Sequence, residues 1–165
     1  MMKKEITDLI TNNDYKNFIF NKCRNDVAVA ELKNKTQNVP DVDGIYFVFT
    51  PLIQDRIVQE HLVYKLNNNL YEFIYFGIAG GLKANGKEGN QKLNGRINNV
   101  VGNNSIRRAI KWNDTMNENN FELLTVFYCL LDQPKNFEDR IYDYLKKEKL
   151  KYPLLNGKRG RPPKK

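Results

Sequence analysis

Two tyrosines, Tyr46 and Tyr75, lie in short tripeptides that each contain a glycine, Gly44-Ile45-Tyr46 and Tyr75-Phe76-Gly77. A phenol can orient a water molecule by hydrogen bonding, and as a phenolate it can accept a proton from that water. A free tyrosine has a pKa of about 10, so the second role requires a neighbouring cation. The alternative is that both are ordinary sheet aromatics with their hydroxyls at the edge of a core.

Both tyrosines lie in apolar runs, DGIYFVFT and YEFIYFGIAGG, that are rich in aromatic and β-branched residues. Such runs, bounded by glycines, predict half-buried strands. Between them, Asn67-Asn68-Asn69 is a polar break that favours a turn. We therefore expect a small antiparallel sheet that presents Tyr46 and Tyr75 from adjacent positions.

An arginine follows the second predicted strand, at Arg96 in the segment LNGRINNVV. Ile97, Val100 and Val101 give this segment the apolar side of a short helix. A guanidinium fork can hold two phosphate oxygens at once and offset the charge that develops during phosphoryl chemistry. The alternative is an arginine on a solvated surface.

Taken in order, these segments resemble the paired signature of the GIY-YIG nuclease family, with Phe76 in place of the usual isoleucine. The resemblance implies that Arg96 is catalytic and that Glu138 binds a metal near the start of the helix after the third strand. It also implies that Asn156, in a Pro-x-x-Asn stretch, supports the site by hydrogen bonding. Some relatives carry a histidine one helical turn after the arginine. This chain has Val100 there, so Tyr46 or Tyr75 would have to activate the water.

Each of these residues also has a simpler interpretation. An acid in a first helical turn, such as Glu138, is explained by the helix dipole alone. Asn156 could be a turn residue before Gly157. The single histidine, His61, is more often structural or exposed than catalytic, and it cannot form a metal site by itself. The two cysteines, Cys23 and Cys129, allow no zinc-type spacing.

The fold that the resemblance implies is α/β (α+β), a GIY-YIG core with a three-stranded central sheet flanked by helices. We expect this core over residues 41–156, a helical extension over 1–40 and a basic tail over 157–165. The most apolar stretch, Phe121 to Leu131, predicts the central strand. Further helices are expected over Leu93–Val101, Ser105–Trp112 and Phe137–Lys149.

Charge favours an anionic partner. The 165 residues include 27 Lys and Arg against 19 Asp and Glu, a net charge of +8, which is typical of proteins that bind nucleic acid. In the tail, Arg159-Gly160-Arg161-Pro162 resembles the core of an AT-hook, and an extended segment of this kind fits a narrow A·T minor groove. The alternative is a solubilising tail. The residues predicted to contact DNA are Lys83, Lys87, Lys92, Arg107, Arg108, Lys158, Arg159 and Arg161.

The resemblance thus predicts a DNA endonuclease that uses one Mg²⁺ (or Mn²⁺) per active site, most like a type II restriction enzyme. A homodimer would match a palindromic site, because one active site cuts one strand. A homing, mobile-element or repair nuclease of the same family is an alternative, and so is a noncatalytic DNA-binding module on a nuclease scaffold. The N-terminus lacks the apolar core of a signal peptide and no run approaches 18 apolar residues, so we expect a cytoplasmic protein, of bacterial or phage origin.

Overall fold

The computed structural model describes residues 24–29, 39–66, 68–82, 85–89, 91–102 and 112–156. The five strands in these segments are β1 (Arg24–Val29), β2 (Gly44–Pro51), β3 (Val63–Leu66), β4 (Asn69–Ala79) and β5 (Leu124–Leu130). The three α-helices are α1 (Leu93–Gly102), α2 (Trp112–Asn119) and α3 (Pro134–Lys147), and a short 3₁₀ turn spans Glu60–Leu62. The described chain is therefore a mixed α+β fold.

The strands form one antiparallel sheet in the order β1-β5-β2-β4-β3. Four of them lie between Gly44 and Leu130, and β1 is added at the β5 edge. The three predicted strands are all present as β2, β4 and β5, but the predicted number of three was too low. The prediction that Phe121–Leu131 forms the central strand was also wrong, because β2 occupies the middle of the sheet.

The apolar residues of β2 alternate strictly between the two faces of the sheet. Tyr46 and Val48 belong to one core cluster, whereas Ile45, Phe47 and Phe49 belong to another, as the two-residue period of a strand requires. Helices α1 and α2 cover the face with Tyr46, since their apolar residues Leu93, Ile97, Trp112 and Met116 join that cluster. Helix α3 covers the opposite face through Phe137, Ile141 and Leu145.

Local signals account for several element boundaries. Pro134 lies in the first turn of α3, where its fixed φ and missing N–H cost nothing. The β3–β4 hairpin pairs Leu66 with Asn69, and Asn68 adopts φ 65° in its turn, which asparagine tolerates better than most residues. The predicted turn is therefore confirmed at Asn68, whereas Asn67 lies outside the described residues.

The predicted helical extension over residues 1–40 is corrected at one place. Arg24–Val29 is a strand paired antiparallel with β5, because the open edge of β5 supplies backbone partners that a local helix signal does not anticipate. The rest of that prediction, and the helix expected before Trp112, lie outside the described residues except at their ends. Among the described segments, the longest helix has 14 residues, and none is long and apolar enough to cross a membrane.

Candidate active site

The two signature tyrosines converge above Gly77. In the register of β2 and β4, Tyr46 pairs with Gly77 and Val48 pairs with Tyr75, so both phenol rings project from the same face. The ring centroids are 5.8 Å apart. A Cβ atom on Gly77 would lie 2.8 Å from the Oη of Tyr46 and 2.8 Å from the Oη of Tyr75. Glycine at position 77 therefore provides the space in which the two hydroxyls meet.

A β-bulge keeps both tyrosines on this face while β4 continues to pair. Tyr75 faces Val48 and Phe73 faces Phe49, so that Ile74 is an extra residue without a partner on β2. Ile74 consequently shares the cluster of Tyr75 rather than that of Phe73. Bulges of this kind redirect side chains next to functional sites.

Arg96 is carried by the helix that covers the tyrosine face. It lies in α1 between Leu93 and Ile97, which are both fully buried in the same cluster as Tyr46 and Tyr75. The Nε atom of Arg96 is buried, and no residue in the described part of the chain gives it a hydrogen-bond partner. A buried guanidinium nitrogen without a partner is costly, so Arg96 is suited to an anion that the described residues do not supply.

Glu138 lies on the opposite side of the sheet, in the second turn of α3. The neighbouring Phe137 packs edge-on against Phe47, and the Glu138 side chain is 16% exposed. Lys135 Nζ is 3.2 Å from Glu138 Oε2 and 2.6 Å from Asp139 Oδ1. Burial lowers the pKa of Lys135, but its hydrogen bond to Asp139 and the charge of Glu138 outweigh burial and raise the pKa overall.

The two faces come together at one end of the sheet. Helix α3 begins beside the loop after β4, since a Cβ on Gly81 would lie 3.2 Å from the ring of Pro134. Helix α1 begins beside the segment before β2, where the N–H of Leu93 donates to the Val42 carbonyl at 2.9 Å. The first turns of both helices therefore lie beside the segment before β2 and the loop after β4, at the end of the sheet where Tyr46 pairs with Gly77.

The side chain of Asn156 is hydrogen-bonded to the backbone of β4, the strand that carries Tyr75. Its side-chain Nδ2 donates to the Phe76 carbonyl at 2.9 Å, and its Oδ1 accepts from the Phe76 N–H at 3.0 Å. Nδ2 also donates to Tyr142 Oη of α3 at 3.0 Å. Asn156 is 1% exposed. Because its amide pairs with both backbone groups of Phe76, it takes the place of a neighbouring strand at this point of β4. Asn156 therefore braces β4 by hydrogen bonding, and its support of a catalytic site stays a prediction.

Of the residues predicted to contact DNA, only Lys87 and Lys92 lie within the described segments; Lys83, Arg107, Arg108, Lys158, Arg159 and Arg161 fall outside them. Lys87 is exposed. Lys92 forms an ion pair with Asp43. His61 donates from Nε2 to the Lys151 carbonyl at 2.7 Å, a structural contact that ties the β2–β3 connection to the segment before Asn156.

Three neighbours of the site were not singled out from the sequence. Tyr128 pairs directly with Tyr46 across β2 and β5, and Trp112 packs edge-on against Tyr75 at 5.5 Å between centroids. Asp43, three residues before Tyr46, is the third. The contacts of all three residues depend on tertiary pairing, which the sequence does not show directly. Only Asp43 could have been noticed in the sequence, because it lies close to the signature tripeptide.

The side chains that could bind a metal can be compared with the predicted Mg²⁺ site. No group of three or more His, Cys, Asp or Glu side chains comes together within the described ranges. Mg²⁺ keeps several waters and is commonly held by one or two carboxylates together with substrate phosphates. A single partly exposed carboxylate at Glu138 is compatible with that mode, whereas a cage built entirely from protein ligands does not match these residues.

Comparisons of the chain with protein-family models, with curated proteins and with solved structures each returned no match.

Proposed function

We propose that the protein is a divalent-metal-dependent DNA endonuclease of the GIY-YIG type, acting as a site-specific type II restriction enzyme. The observation that carries this proposal is the convergence of the Tyr46 and Tyr75 hydroxyls over Gly77. A core-filling role alone does not require two phenol hydroxyls to approach the same glycine. Two such oxygens can hold one water molecule between them.

Arg96 supplies the second part of the chemistry. Its guanidinium binds the nonbridging oxygens of the scissile phosphate and offsets the negative charge that develops there. One tyrosine orients the attacking water and the other accepts its proton. The buried Nε of Arg96, without a partner in the described chain, supports an anionic ligand.

Glu138 would hold the metal ion, which supplies charge stabilisation to the leaving oxygen. Its Oε2 atom lies 3.2 Å from the ammonium of Lys135, so a bound ion would compete with that ammonium for the carboxylate. Asn156 keeps the backbone of Phe76 fixed between the two residues that matter most, Tyr75 and Gly77. The chain's own residues thus position water and phosphate from one face and a carboxylate from the other.

Double-stranded DNA is the proposed substrate because of the net charge of +8. A two-fold dimer would place one active site on each strand of a palindromic sequence. A homing, mobile-element or repair nuclease would share the same chemistry and differ in where it cuts. A noncatalytic DNA-binding module is the candidate from a different class.

The test compares cleavage of plasmid and phage DNA by the wild type, Glu138→Gln and Asp139→Asn, each with Mg²⁺ and with EDTA. We expect discrete fragments from the wild type with Mg²⁺, none in EDTA, and none from Glu138→Gln. Asp139→Asn is the matched control, because its carboxylate contacts the same lysine without a proposed role, and it should cleave as the wild type does.

Other outcomes discriminate between the alternatives. Random nicks instead of discrete fragments would favour a repair nuclease. Tight DNA binding without cleavage, on DNAs of varied sequence, would favour the noncatalytic module. Equal cleavage by Glu138→Gln would show that Glu138 is not the metal ligand.

A further inference from the structure

The carboxylate of Asp43 lies at the junction of four elements. It accepts hydrogen bonds from the ammonium of Lys92 and from the backbone N–H of Gly81. A side chain at Gly80 would overlap this carboxylate, and Gly80 itself adopts φ 70°, a conformation that glycine reaches without strain. The loop after β4 is therefore folded directly around Asp43.

Backbone hydrogen bonds connect the same junction to the rest of the site. The Asp43 carbonyl accepts from the N–H of Leu131, just after β5, at 3.2 Å. The preceding Val42 carbonyl accepts from the N–H of Leu93 at the start of α1. One helical turn beyond Lys92 is Arg96, whose N–H donates to the Lys92 carbonyl at 3.0 Å. Asp43 and Lys92 thus stand between the strand of Tyr46 and the helix of Arg96.

We propose that Asp43 and Lys92 are positioning residues, which set the helix carrying Arg96 against the strands carrying Tyr46 and Tyr75. This inference rests on the proposed nuclease function. It gives Lys92 a different role from the DNA contact that its charge predicts. Because catalytic geometry must be held closely, a displacement of about 1 Å can cost about a hundredfold in rate.

A substitution at Asp43 distinguishes the two possible roles of Lys92, which are a phosphate contact and the positioning of α1. If Lys92 bound phosphate, the carboxylate of Asp43 would compete with DNA for the ammonium, and Asp43→Asn would leave affinity equal or improved. If the pair positions α1, Asp43→Asn and Lys92→Met remove the same interaction. Both variants should then lose turnover, and their effects should not add.

The experiment measures the single-turnover rate at saturating Mg²⁺ and the Kd for DNA separately, in Asp43→Asn, Lys92→Met and the double variant. We expect each single variant to lose about ten- to a hundredfold in rate with Kd unchanged, and the double variant to be no slower than the slower single variant. Lys92→Arg retains a cation that can bind the carboxylate, so it should restore most of the rate. Lys146→Met, an exposed lysine in the last turn of α3, serves as the control.

Several results would overturn the proposal. Asp43→Asn could cleave at the wild-type rate, or the two effects could add fully. Lys92→Met could instead weaken binding and reduce the salt slope of log K by about one, with the rate unchanged, which is the signature of a phosphate contact.

Failure of the nuclease function itself would be seen in the wild type, which would then cleave no DNA. Amide hydrogen exchange tests the pair independently of cleavage. Asp43→Asn and Lys92→Met should speed exchange at Gly81 and Leu93, while the N–H of Leu150, bonded to the Leu145 carbonyl at 2.8 Å, should exchange as in the wild type. Unchanged exchange at Gly81 and Leu93 would overturn the positioning role.

Discussion

The hydroxyl oxygens of Tyr46 and Tyr75 are equidistant, at 2.8 Å, from the point where a side chain at Gly77 would begin. Tyr46 also pairs with Gly77 in the strand register. Both hydroxyls therefore lie over the backbone of this glycine. A methyl group there would press against both hydroxyl oxygens.

Gly77→Ala is therefore expected to abolish cleavage and to lower the free energy of unfolding by about 1–3 kcal/mol through overpacking. Cleavage rates and urea unfolding measure the two effects. Gly95→Ala is the control, since its Cβ would meet nothing nearer than 3.9 Å and alanine favours the helix by about 0.5–1 kcal/mol. Equal activity of the two alanine variants would contradict the role given to Gly77.

Removing single hydroxyls tests the tyrosines directly. In Tyr46→Phe and Tyr75→Phe, the variant that lacks the proton acceptor should lose about 10²–10⁴ in kcat, and the other should lose less. Tyr64→Phe is the matched control, because Tyr64 is equally buried but lies in the opposite core cluster. If all three variants cleave alike, neither signature tyrosine takes part in the chemistry.

Asn156→Ala removes three hydrogen bonds of a buried amide and leaves the N–H and carbonyl of Phe76 without that partner. We expect a loss of about 2–4 kcal/mol in the free energy of unfolding. Urea titration measures it, against Asn119→Ala, in which a part-buried amide loses one bond to Thr115. A loss no larger than that of Asn119→Ala would mean that Asn156 does not hold β4.

The Asp43–Lys92 pair should depend on pH in a defined way. The hydrogen bond from Lys92, helped by the N–H of Gly81 and opposed by partial burial, lowers the pKa of Asp43. The stability that Asp43 contributes is therefore present above its unfolded pKa of about 3.9 and is lost as pH falls through the lower folded value. The hydrogen bond to Asp43 raises the pKa of Lys92, so its contribution is lost only as pH rises through that raised value.

A double-mutant cycle of Asp43→Asn and Lys92→Met measures this coupling. Urea unfolding at neutral pH should give a favourable coupling, and unfolding in acid, below the folded pKa of Asp43, should give none. A coupling that persists in acid would show that the two side chains interact through packing rather than charge.

The sequence contained enough information to predict the strands that carry Tyr46 and Tyr75 and the helices α1 and α3. Their aromatic, β-branched and apolar residues recur with the period of a strand or of a helix, which can be read from the sequence. Helix α2 was missed because Trp112 and Met116 are its only large apolar residues in the segment WNDTMNEN. Strand β3 has only four residues, too few to show alternation.

The contacts around the site were harder to predict than the residues in it. Asp43 and Lys92 are 49 positions apart, and Asn156 is 80 positions from Phe76. No local periodicity relates such pairs, and only the assembled sheet brings them together. The strand at Arg24–Val29 was missed for the same reason, since it depends on the free edge of β5.

The pairing of Asn156 with Phe76 also has a consequence for synthesis of the protein. A ribosome releases the chain from its N-terminus, so Tyr46, Tyr75 and Arg96 emerge long before the amide that braces the backbone of Phe76. Contacts of such large separation form late and slowly. A polypeptide that ends before Asn156 would therefore carry Tyr46, Tyr75 and Arg96 without the amide that braces the backbone of Phe76.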